Sequence, residues 1–174
     1  MLVIRTDNRA GSGWPEGVGR CMAASMTDRF WETVKLEDMT ADQWEAVCDG
    51  CAKCCLLKLE DEDSGEIAYT RLHCKLLDSE TCKCADYENR KTHVPDCVIL
   101  TPKSVSELKW MPKSCAYKVL HEGGRLPDWH HLLSGDKDAV HAKGQSIKGR
   151  AVSEETVLEE DQIDWIIDWE GQPP

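Results

Sequence analysis

The sequence lacks the features of membrane, secreted and nucleic-acid-binding proteins. Its 174 residues contain no apolar run close to the roughly 20 residues that cross a bilayer. The net charge of −11 argues against a nucleic-acid-binding surface and against docking on an anionic membrane. The apolar stretch at the start is too short for a secretory signal. We therefore expect a cytoplasmic protein, in which thiols stay reduced.

Large apolar side chains and catalytic motifs are also scarce. Phe occurs once, and the hydrophobic residues make up 41% only when the ten cysteines are counted among them. The length fits one domain with a modest core, in which we expect the seven tryptophans to be the large anchors. No nucleophile elbow, phosphate-binding glycine loop or His-Glu-x-x-His motif occurs. Their absence favours a non-enzymatic role, and we assign no catalytic residue.

Cysteine is the residue that this sequence has in excess. Nine of the ten cysteines lie between Cys48 and Cys115. Because thiols stay reduced in the cytoplasm, a disulfide scaffold explains them poorly. Metal ligation explains them better, since a Cys-x-x-Cys turn aims two sulfurs at one point. A buried core thiol remains the alternative for single cysteines, above all for Cys115 beside the apolar positions of a predicted helix.

The strongest pattern is Cys48-x-x-Cys51-x-x-Cys54-Cys55. Bacterial ferredoxins wrap an iron–sulfur cluster with this spacing, whereas four thiolates also make a tetrahedral zinc site. Further along, Cys82 and Cys84 would lie on one face of a strand. The predicted metal ligands are Cys48, Cys51, Cys54, Cys55, Cys74, Cys82, Cys84 and Cys97. Three arrangements stay open: two four-thiolate sites, one site with bridging sulfurs, and one site plus structural thiols. Zinc and an iron–sulfur cluster also both stay open.

Local patterns around the cysteines predict short helices and β-hairpins. Thr40 and Gln43 have the spacing of a capping box, and the helix that they begin should end at Gly50. Alternating apolar residues flank a turn at 61–65, and a second strand-turn unit runs over 74–84. Further helices should begin near Thr101 and Cys115. We therefore expect a small, cysteine-rich, single-domain α+β fold, with short helices and β-hairpins around a metal site.

Composition divides the chain into three regions. Residues 1–25 are rich in glycine and lack a hydrophobic period, which predicts a disordered leader, with Met26 as an alternative natural start. Residues 26–152 form the cysteine-cluster domain. Residues 153–174 form an acidic segment that packs on this domain or trails from it. Residues 151–174 carry eight acidic residues and no Lys or Arg, so the segment is either a solvated surface or a site for a basic protein partner.

The cysteine segments also resemble those of a known bacterial family. The resemblance rests on residues 45–55, 61–63, 81–90, 95–97, 110–112, 114–117, 126–130 and 132–135. These segments resemble the YcgN family, within the broader YkgJ-type group that is named for its Cys-x-x-Cys-x-x-Cys-Cys motif and described as zinc- or iron-chelating. The resemblance covers about residues 30–169. It implies a metal core at Cys48, Cys51, Cys54, Cys55, Cys74, Cys84, Tyr87, Arg90 and Cys97.

Side chains beside the cysteines offer supporting roles. Tyr87 and Arg90 are three residues apart and would share a helical face, so that Arg90 either donates N–H groups to metal-bound sulfur or supports the loop through Tyr87. His73 and His93 stand near cysteines and are alternative ligands, although a hydrogen-bonded histidine is the commoner outcome. The function that we predict is metal binding. A redox enzyme that uses the cluster, and an adaptor or metal-buffering protein with an acidic interaction segment, are the alternatives.

Overall fold

The computed structural model describes residues 2–4 and 29–169. Its α-helices are α1 (Phe30–Thr33), α2 (Ala41–Val47), α3 (Arg90–His93), α4 (Pro102–Glu107), α5 (Ala116–His121), α6 (His131–Ser134) and α7 (Ala139–Ala142). Its strands are β1 (Leu2–Ile4), β2 (Leu56–Glu60), β3 (Ile67–His73), β4 (Leu77–Asp78), β5 (Lys83–Cys84) and β6 (Val152–Ser153). Short 3₁₀ helices lie at Leu36–Asp38, Lys53–Cys55, Glu154–Thr156 and Glu159–Trp165. This mixture of short helices and small sheets confirms the predicted α+β class.

The main sheet has the strand order β1-β2-β3-β6. Its β1–β2 and β2–β3 pairs are antiparallel, whereas β3 and β6 are parallel. The β2–β3 pair is the predicted hairpin. In its turn, the Asp61 carboxylate accepts the backbone N–H groups of Asp63 and Ser64 at 3.1 and 2.8 Å, and Gly65 has the left-handed φ of +70°. The acidic run that begins at Asp61 is therefore the polar tip of the hairpin, and the Asp61 side chain holds its turn.

The second predicted strand-turn unit is also present, as the antiparallel pair β4–β5. The Asp78 carboxylate accepts the Glu80 N–H at 2.9 Å and the Thr81 hydroxyl at 2.9 Å, which closes the turn. Cys82 has a φ of +55° and lies before β5. The prediction that Cys82 and Cys84 share a strand face was wrong, because a left-handed residue breaks the alternation of side chains.

Helix α2 begins as predicted and ends at Val47, shortly before Gly50. The Gln43 N–H donates to Thr40 Oγ1 at 3.2 Å, and the Thr40 N–H donates to Gln43 Oε1 at 3.0 Å, which completes the capping box. Trp44 and Val47 are buried on the inner face. The residue after the last helical turn is Cys48. The helix therefore carries the first cysteine of the motif at its C-terminal end.

Helices α4 and α5 begin where local signals predict them. Thr101 and Ser104 form a second capping box, with Pro102 in the first turn of α4. Cys115 occupies the N-cap of α5, and Gly123 lies beyond its end with a φ of +73°. A cysteine therefore stands at the start of one helix and at the end of another, two positions at which the backbone direction changes.

Two groups of buried apolar side chains form the interior. The helical cluster comprises Phe30, Leu36, Met39, Trp44, Val47, Val105, Trp110, Met111, Ala116, Tyr117 and Leu126. The sheet cluster comprises Ala52, Leu56, Tyr69, Leu77, Cys82, Ile147 and Trp169. Trp44, Trp110 and Trp169 are nearly inaccessible to solvent, as the role of large anchors requires.

The described part of the acidic C-terminal segment packs on β3. The Ile167 N–H donates to the Tyr69 carbonyl at 2.9 Å, and Trp169 Nε1–H donates to the Thr70 carbonyl at 3.0 Å. Of the two alternatives for residues 153–174, packing therefore holds up to Trp169. Within the described residues, no helix is both long and apolar enough to cross a membrane.

The start of the chain differs from the predicted disordered leader. Leu2–Ile4 form β1, in which Val3 pairs with Leu59 of β2. These residues include β-branched side chains that favour strands, and they find backbone partners on the open edge of β2. The rest of the predicted leader, including Cys21, and the alternative start at Met26 lie outside the described residues.

Candidate metal centre

The nine cysteines within residues 29–169 are free thiols. Eight of them lie within electrostatic reach of another cysteine, so that each thiolate would raise the pKa of a neighbour. They are Cys48, Cys51, Cys54, Cys55, Cys74, Cys84, Cys97 and Cys115. The fold therefore gathers thiols that are far apart in the sequence into one region.

The loop that follows α2 is shaped by two left-handed residues. Gly50 has a φ of +75°, and Ala52 has a φ of +59°. Asp49 Oδ1 accepts the backbone N–H of Cys51 at 3.0 Å, which fixes the turn between the first two cysteines. Left-handed backbone is unfavourable for a residue with a Cβ atom, so Ala52 stores strain at this point. Burial of its methyl group in the sheet cluster helps to hold the loop in this shape.

Cys54 and Cys55 form a pair of contacting thiols. Their Sγ atoms are 3.9 Å apart. The hydrogen bond with Cys55, aided by the positive charge of Lys58, lowers the pKa of Cys54 to about 7. The same contact and burial raise the pKa of Cys55. Cys54 therefore carries a substantial thiolate fraction at neutral pH, and the thiolate is the form that ligates metals.

Three further thiols resist ionisation because of their surroundings. Desolvation by the surrounding protein, followed by the charge of Asp49, raises the pKa values of Cys48 and Cys51. Burial raises the pKa of Cys115 to about 12. Cys48 nevertheless keeps exposed surface, so it lies in dense packing without being sealed from solvent. A bound cation would favour ionisation of these thiols, because its positive charge pairs with the negative charge of each thiolate.

Backbone N–H groups interact with several of these sulfurs and partly oppose the effect of burial on their pKa values. For Cys48, Cys51 and Cys74 the donor is the residue two positions later. Hydrogen bonds of this kind stabilise thiolates and orient them towards a metal. The donors are Gly50 for Cys48, Lys53 for Cys51, Leu76 for Cys74, and Tyr117 and Lys118 for Cys115.

A buried lysine, which the sequence pattern did not single out, lies beneath the loop. Lys58 is 2% exposed, and its ammonium group donates to the carbonyls of Cys54 and Leu56, both at 2.7 Å. The same Nζ lies 4.4 Å from the centroid of the Trp110 ring. Burial lowers the pKa of Lys58 to about 8, an effect that the neighbouring cysteines oppose. Lys58 thus fixes the backbone that carries Cys54 and places a cation beside the thiols.

A second set of thiols lies beside the first. The Cys74 N–H donates to the Cys55 carbonyl at 2.9 Å, and Cys84 belongs to β5. Cys74 is within electrostatic reach of Cys84 and Cys97, and burial raises the pKa values of Cys74 and Cys97. The charge of Arg90 partly offsets this effect at Cys97. Cys55, Cys74, Cys84 and Cys97 therefore form one neighbourhood, which meets the first at the Cys54–Cys55 pair.

Cys82 has different surroundings. It belongs to the sheet cluster, and its Sγ lies 3.9 Å from the Ser79 carbonyl. Burial raises its pKa, and the other groups that act on it most strongly are Lys148, Ser146, Asp78 and Glu80. None of these groups is a cysteine. Its place among the predicted ligands stays a prediction.

Tyr87 and Arg90 support the loop between Cys84 and Cys97, two cysteines of the second thiol set. Helix α3 begins at Arg90, so Tyr87 lies in the preceding turn and not on the same helical face. The Arg90 guanidinium stacks 3.8 Å above the Tyr87 ring and donates to the Tyr87 carbonyl. The Tyr87 hydroxyl in turn donates to the Glu45 carboxylate at 3.3 Å. This chain of contacts ties the loop to α2 and corresponds to the supporting alternative for Arg90.

The histidines near the cysteines have hydrogen-bond partners. His73 Nδ1 lies 2.9 Å from the Cys74 carbonyl, and His93 Nε2 lies 3.1 Å from the Asp86 carboxylate. Both contacts fit the commoner, hydrogen-bonded role over that of a replacement ligand.

His130 holds the end of α2, a role that sequence patterns did not reveal. Its Nδ1 accepts the Leu132 N–H at 3.2 Å, which leaves the proton on Nε2. Nε2–H then donates to the Val47 carbonyl at 3.0 Å. His130 is fully buried, and burial lowers its pKa, so the neutral ring is the stable form. It therefore satisfies a backbone carbonyl directly before Cys48.

The donor set fits a soft metal, although the residues that the structure describes show no preformed ligation geometry. Within the part of the chain that the structure describes, no group of three or more His, Cys, Asp or Glu side chains is arranged to hold a metal ion. The thiols are neighbours, carry backbone N–H donors and lie beside a buried ammonium group. These are the properties that thiolate sites for zinc or iron–sulfur clusters require.

Comparisons with known proteins agree with this chemistry. Residues 47–116 match the CxxCxxCC family, described as "Putative zinc- or iron-chelating domain". The chain is 53% identical over 152 residues to a UPF0260 protein of Parvibaculum lavamentivorans, covering 86% of this chain and 99% of that protein. It is 52% identical over 144 residues to a UPF0260 protein of Ectopseudomonas mendocina, covering 83% and 97%. No solved structure matches the chain. The match to the CxxCxxCC family confirms the resemblance to the broader group that is named for its Cys-x-x-Cys-x-x-Cys-Cys motif.

Proposed function

The chain belongs to the UPF0260 family, and we propose that it binds zinc or an iron–sulfur cluster through its clustered cysteines. One observation carries the proposal: eight free thiols from separate segments of the chain lie in one region. Each thiolate in such a group disfavours ionisation of the next, and the thiolate is the form that ligates a metal. A shared cation removes that penalty.

The ligands are the cysteines of the motif loop together with those of the second thiol set. A zinc ion held by four thiolates would be structural and closed to substrate. An iron–sulfur cluster would add electron transfer or sensing. In either case the protein supplies the thiolates, the backbone N–H groups that orient them and the ammonium group of Lys58 that offsets their charge.

We also propose a cytoplasmic location. The support is the set of nine free thiols within residues 29–169, which include the contacting pair Cys54 and Cys55. In an oxidising compartment such a pair would be exposed to disulfide formation, whereas the cytoplasm keeps thiols reduced.

The test is purification of the full chain without oxygen, followed by metal analysis and visible absorption spectroscopy. Stoichiometric zinc without colour supports a zinc site. Iron with inorganic sulfide and a broad visible absorption supports a cluster. Reduced protein that contains no metal, and takes up neither zinc nor reconstituted iron–sulfur, would overturn the proposal. Cys51→Ser is the matched variant, because serine conserves shape but is a poor ligand for a soft metal.

A further inference from the structure

We propose that the described end of the acidic C-terminal segment is a docking surface for a basic, amphipathic segment of a partner protein. The inference is independent of metal binding. It decides between the two alternatives that the sequence left for this segment, a solvated surface and a partner site. The surface, which we call the acidic strip, comprises Leu158, Glu159, Glu160, Asp161, Ile163, Asp164 and Ile166, all of which are exposed.

Exposed apolar side chains are concentrated in the acidic strip. Among residues 29–169, four large hydrophobic side chains are exposed, and three of them are Leu158 at 64%, Ile163 at 50% and Ile166 at 38%. Single exposed apolar residues are ordinary on a protein surface, whereas a group of them marks a place where another molecule binds. A segment that serves only to keep the protein solvated has no need of this group.

The 3₁₀ helix Glu159–Trp165 arranges the side chains of the strip in rows. Side chains that are three positions apart eclipse one another in a 3₁₀ helix. Ile163 and Ile166, which directly follows the helix, therefore form an apolar row. Asp161 and Asp164 form an acidic row beside it. A partner thus meets apolar and acidic groups next to each other.

Contacts with β3 hold the strip in place before any partner arrives. Ile166 pairs with Thr70 in an isolated antiparallel bridge. The Arg71 guanidinium lies 5.8 Å from the centroid of the Trp165 ring. Binding to a surface that is already ordered costs less conformational entropy than ordering a free segment. The strip is therefore a preformed surface.

The charge of the strip is not balanced by the rest of the described chain. Within residues 2–4 and 29–169, Glu159, Glu160, Asp161 and Asp164 form no salt bridge. The guanidinium of Arg71 donates instead to a backbone carbonyl. The remaining negative potential attracts cationic ligands and repels nucleic acid and anionic membranes. It also disfavours a second copy of the same strip, because equal charges would face each other.

A buried acceptor in the same 3₁₀ helix lacks a donor. Gln162 is 4% exposed, and its Oε1 atom has no hydrogen-bond partner within the described residues. A buried acceptor without a donor is unfavourable. Lys and Arg side chains carry N–H donors and no acceptors. The residues that the acidic row attracts are therefore also of the kind that this oxygen lacks.

The partner that fits has apolar side chains for the row of Ile163 and Ile166, and Lys or Arg for the row of Asp161 and Asp164. An amphipathic helix presents such groups as adjoining stripes. The apolar contact then provides affinity, whereas the charges set orientation and the rate of association.

The experiment measures binding of a fluorescent synthetic helix of Leu and Lys to the full chain, by anisotropy under reducing conditions. One strip variant combines Ile163→Ser with Ile166→Ser, and the other combines Asp161→Asn with Asp164→Asn. We expect each to weaken binding by about tenfold, through loss of apolar burial in the first and of charge attraction in the second.

Two controls separate the strip from the overall negative charge of the protein. Asp63→Asn with Glu66→Gln removes two exposed charges at the hairpin tip and should change the affinity by less than about twofold. A peptide in which Ser replaces every Leu keeps its charge. It should bind the unchanged protein more weakly and should not distinguish the Ile163→Ser, Ile166→Ser variant from it.

Folding of each variant is checked by its thermal midpoint, which should stay unchanged because the altered side chains are exposed. The Asn substitutions conserve shape and keep the test valid if the double Ser variant unfolds. The proposal is overturned if the unchanged protein does not bind the Leu and Lys peptide, or if the hairpin-tip control weakens binding as much as the strip variants do. Sedimentation that shows self-association of the unchanged protein, abolished by either strip variant, would assign the strip to a second copy and also overturn it.

Discussion

The helical cluster and the sheet cluster are stabilised in different ways. The helical cluster consists of eleven apolar residues around the Trp44–Tyr117 stack, and α2 and α4 begin in complete capping boxes. The sheet cluster has seven members and is bordered by buried polar residues, among them Lys58 and Thr70. Apolar burial can hold the first on its own, whereas the second depends on satisfied polar groups. Cys115 packs against the helical cluster and Cys55 against the sheet cluster. We expect bound metal to contribute more to the stability of the sheet cluster.

Removal of metal is expected to have the largest effect on this comparison. Thiolate metal sites contribute on the order of 10 kcal/mol to folding in small domains. Strong chelation, and Cys51→Ser without chelation, should therefore lower the thermal midpoint and loosen β2 and β3 before α2 and α5. Hydrogen exchange on the apo and loaded protein measures the order. An unchanged midpoint for protein proven free of metal would mean that neither cluster depends on metal for its stability.

A core truncation on the helical side should show the opposite dependence. Leu126 is 6% exposed in the helical cluster. Leu126→Ala removes buried methylene groups and leaves a cavity, which costs about 2–5 kcal/mol. We expect the same loss of unfolding free energy in chelated and metal-loaded protein, as measured by denaturant titration. A loss confined to one of the two forms would show that the clusters are not energetically separable.

A change at His130 sharpens the comparison through pH. His130→Gln should cost about 1–3 kcal/mol at pH 8, because the Val47 carbonyl or the Leu132 N–H loses its partner. The folded pKa of His130 lies below its ordinary value of 6.5 because of burial. Below pH 6.5 the unfolded chain therefore binds more protons than the native protein, and native stability falls with pH. The His130→Gln protein lacks this loss of stability, because glutamine does not titrate.

The measurement is the unfolding free energy of metal-free protein between pH 8 and pH 5, for both sequences. The difference between them should shrink as the pH falls. The adjacent His131, whose ring stacks on that of His130 at 4.5 Å, also has a pKa lowered by burial, but it is present in both chains and cancels. A difference that stays constant with pH would mean that His130 does not titrate as the buried ring requires.

The smallest effect is expected at Cys21. This cysteine lies in the predicted leader and apart from the nine that follow Val47 in the sequence. Cys21→Ser should leave metal content and thermal midpoint unchanged, in contrast to Cys51→Ser. Metal analysis and calorimetry on both variants provide the comparison. A drop in metal content for Cys21→Ser would show that the leader contributes to the metal site.

Local signals were sufficient for the elements around the site. The capping box of Thr40 and Gln43, the turn at 61–65 and the Thr101 helix start each involve residues within a few positions, and all three occur in the structure. Gly50 takes the left-handed conformation that its position after α2 predicted. These features depend on neighbours in the chain, so the sequence pattern contains what determines them.

Contacts between distant residues were beyond the sequence pattern. In the sequence Lys58 is an ordinary lysine of a predicted strand. In the structure its ammonium group donates to the Cys54 carbonyl. Nothing in the sequence distinguishes His130 from the other five histidines. In the structure its Nε2–H donates to the Val47 carbonyl. Cys82 was expected on a regular strand, but its left-handed backbone follows from the turn and not from alternation. For Lys58 and His130 the tertiary contact, which no local rule encodes, decides the role.

The covering of β3 by the C-terminal segment has a consequence for biosynthesis. Trp169 Nε1–H donates to the Thr70 carbonyl, across 99 positions in the chain. During translation the β2–β3 hairpin and every thiol of the site leave the ribosome before the residues that cover this strand. Until then the backbone of β3 presents an open edge, the kind of surface on which chains associate wrongly. Completion of the C-terminal segment, rather than formation of the hairpin, therefore sets the earliest moment at which this edge is protected.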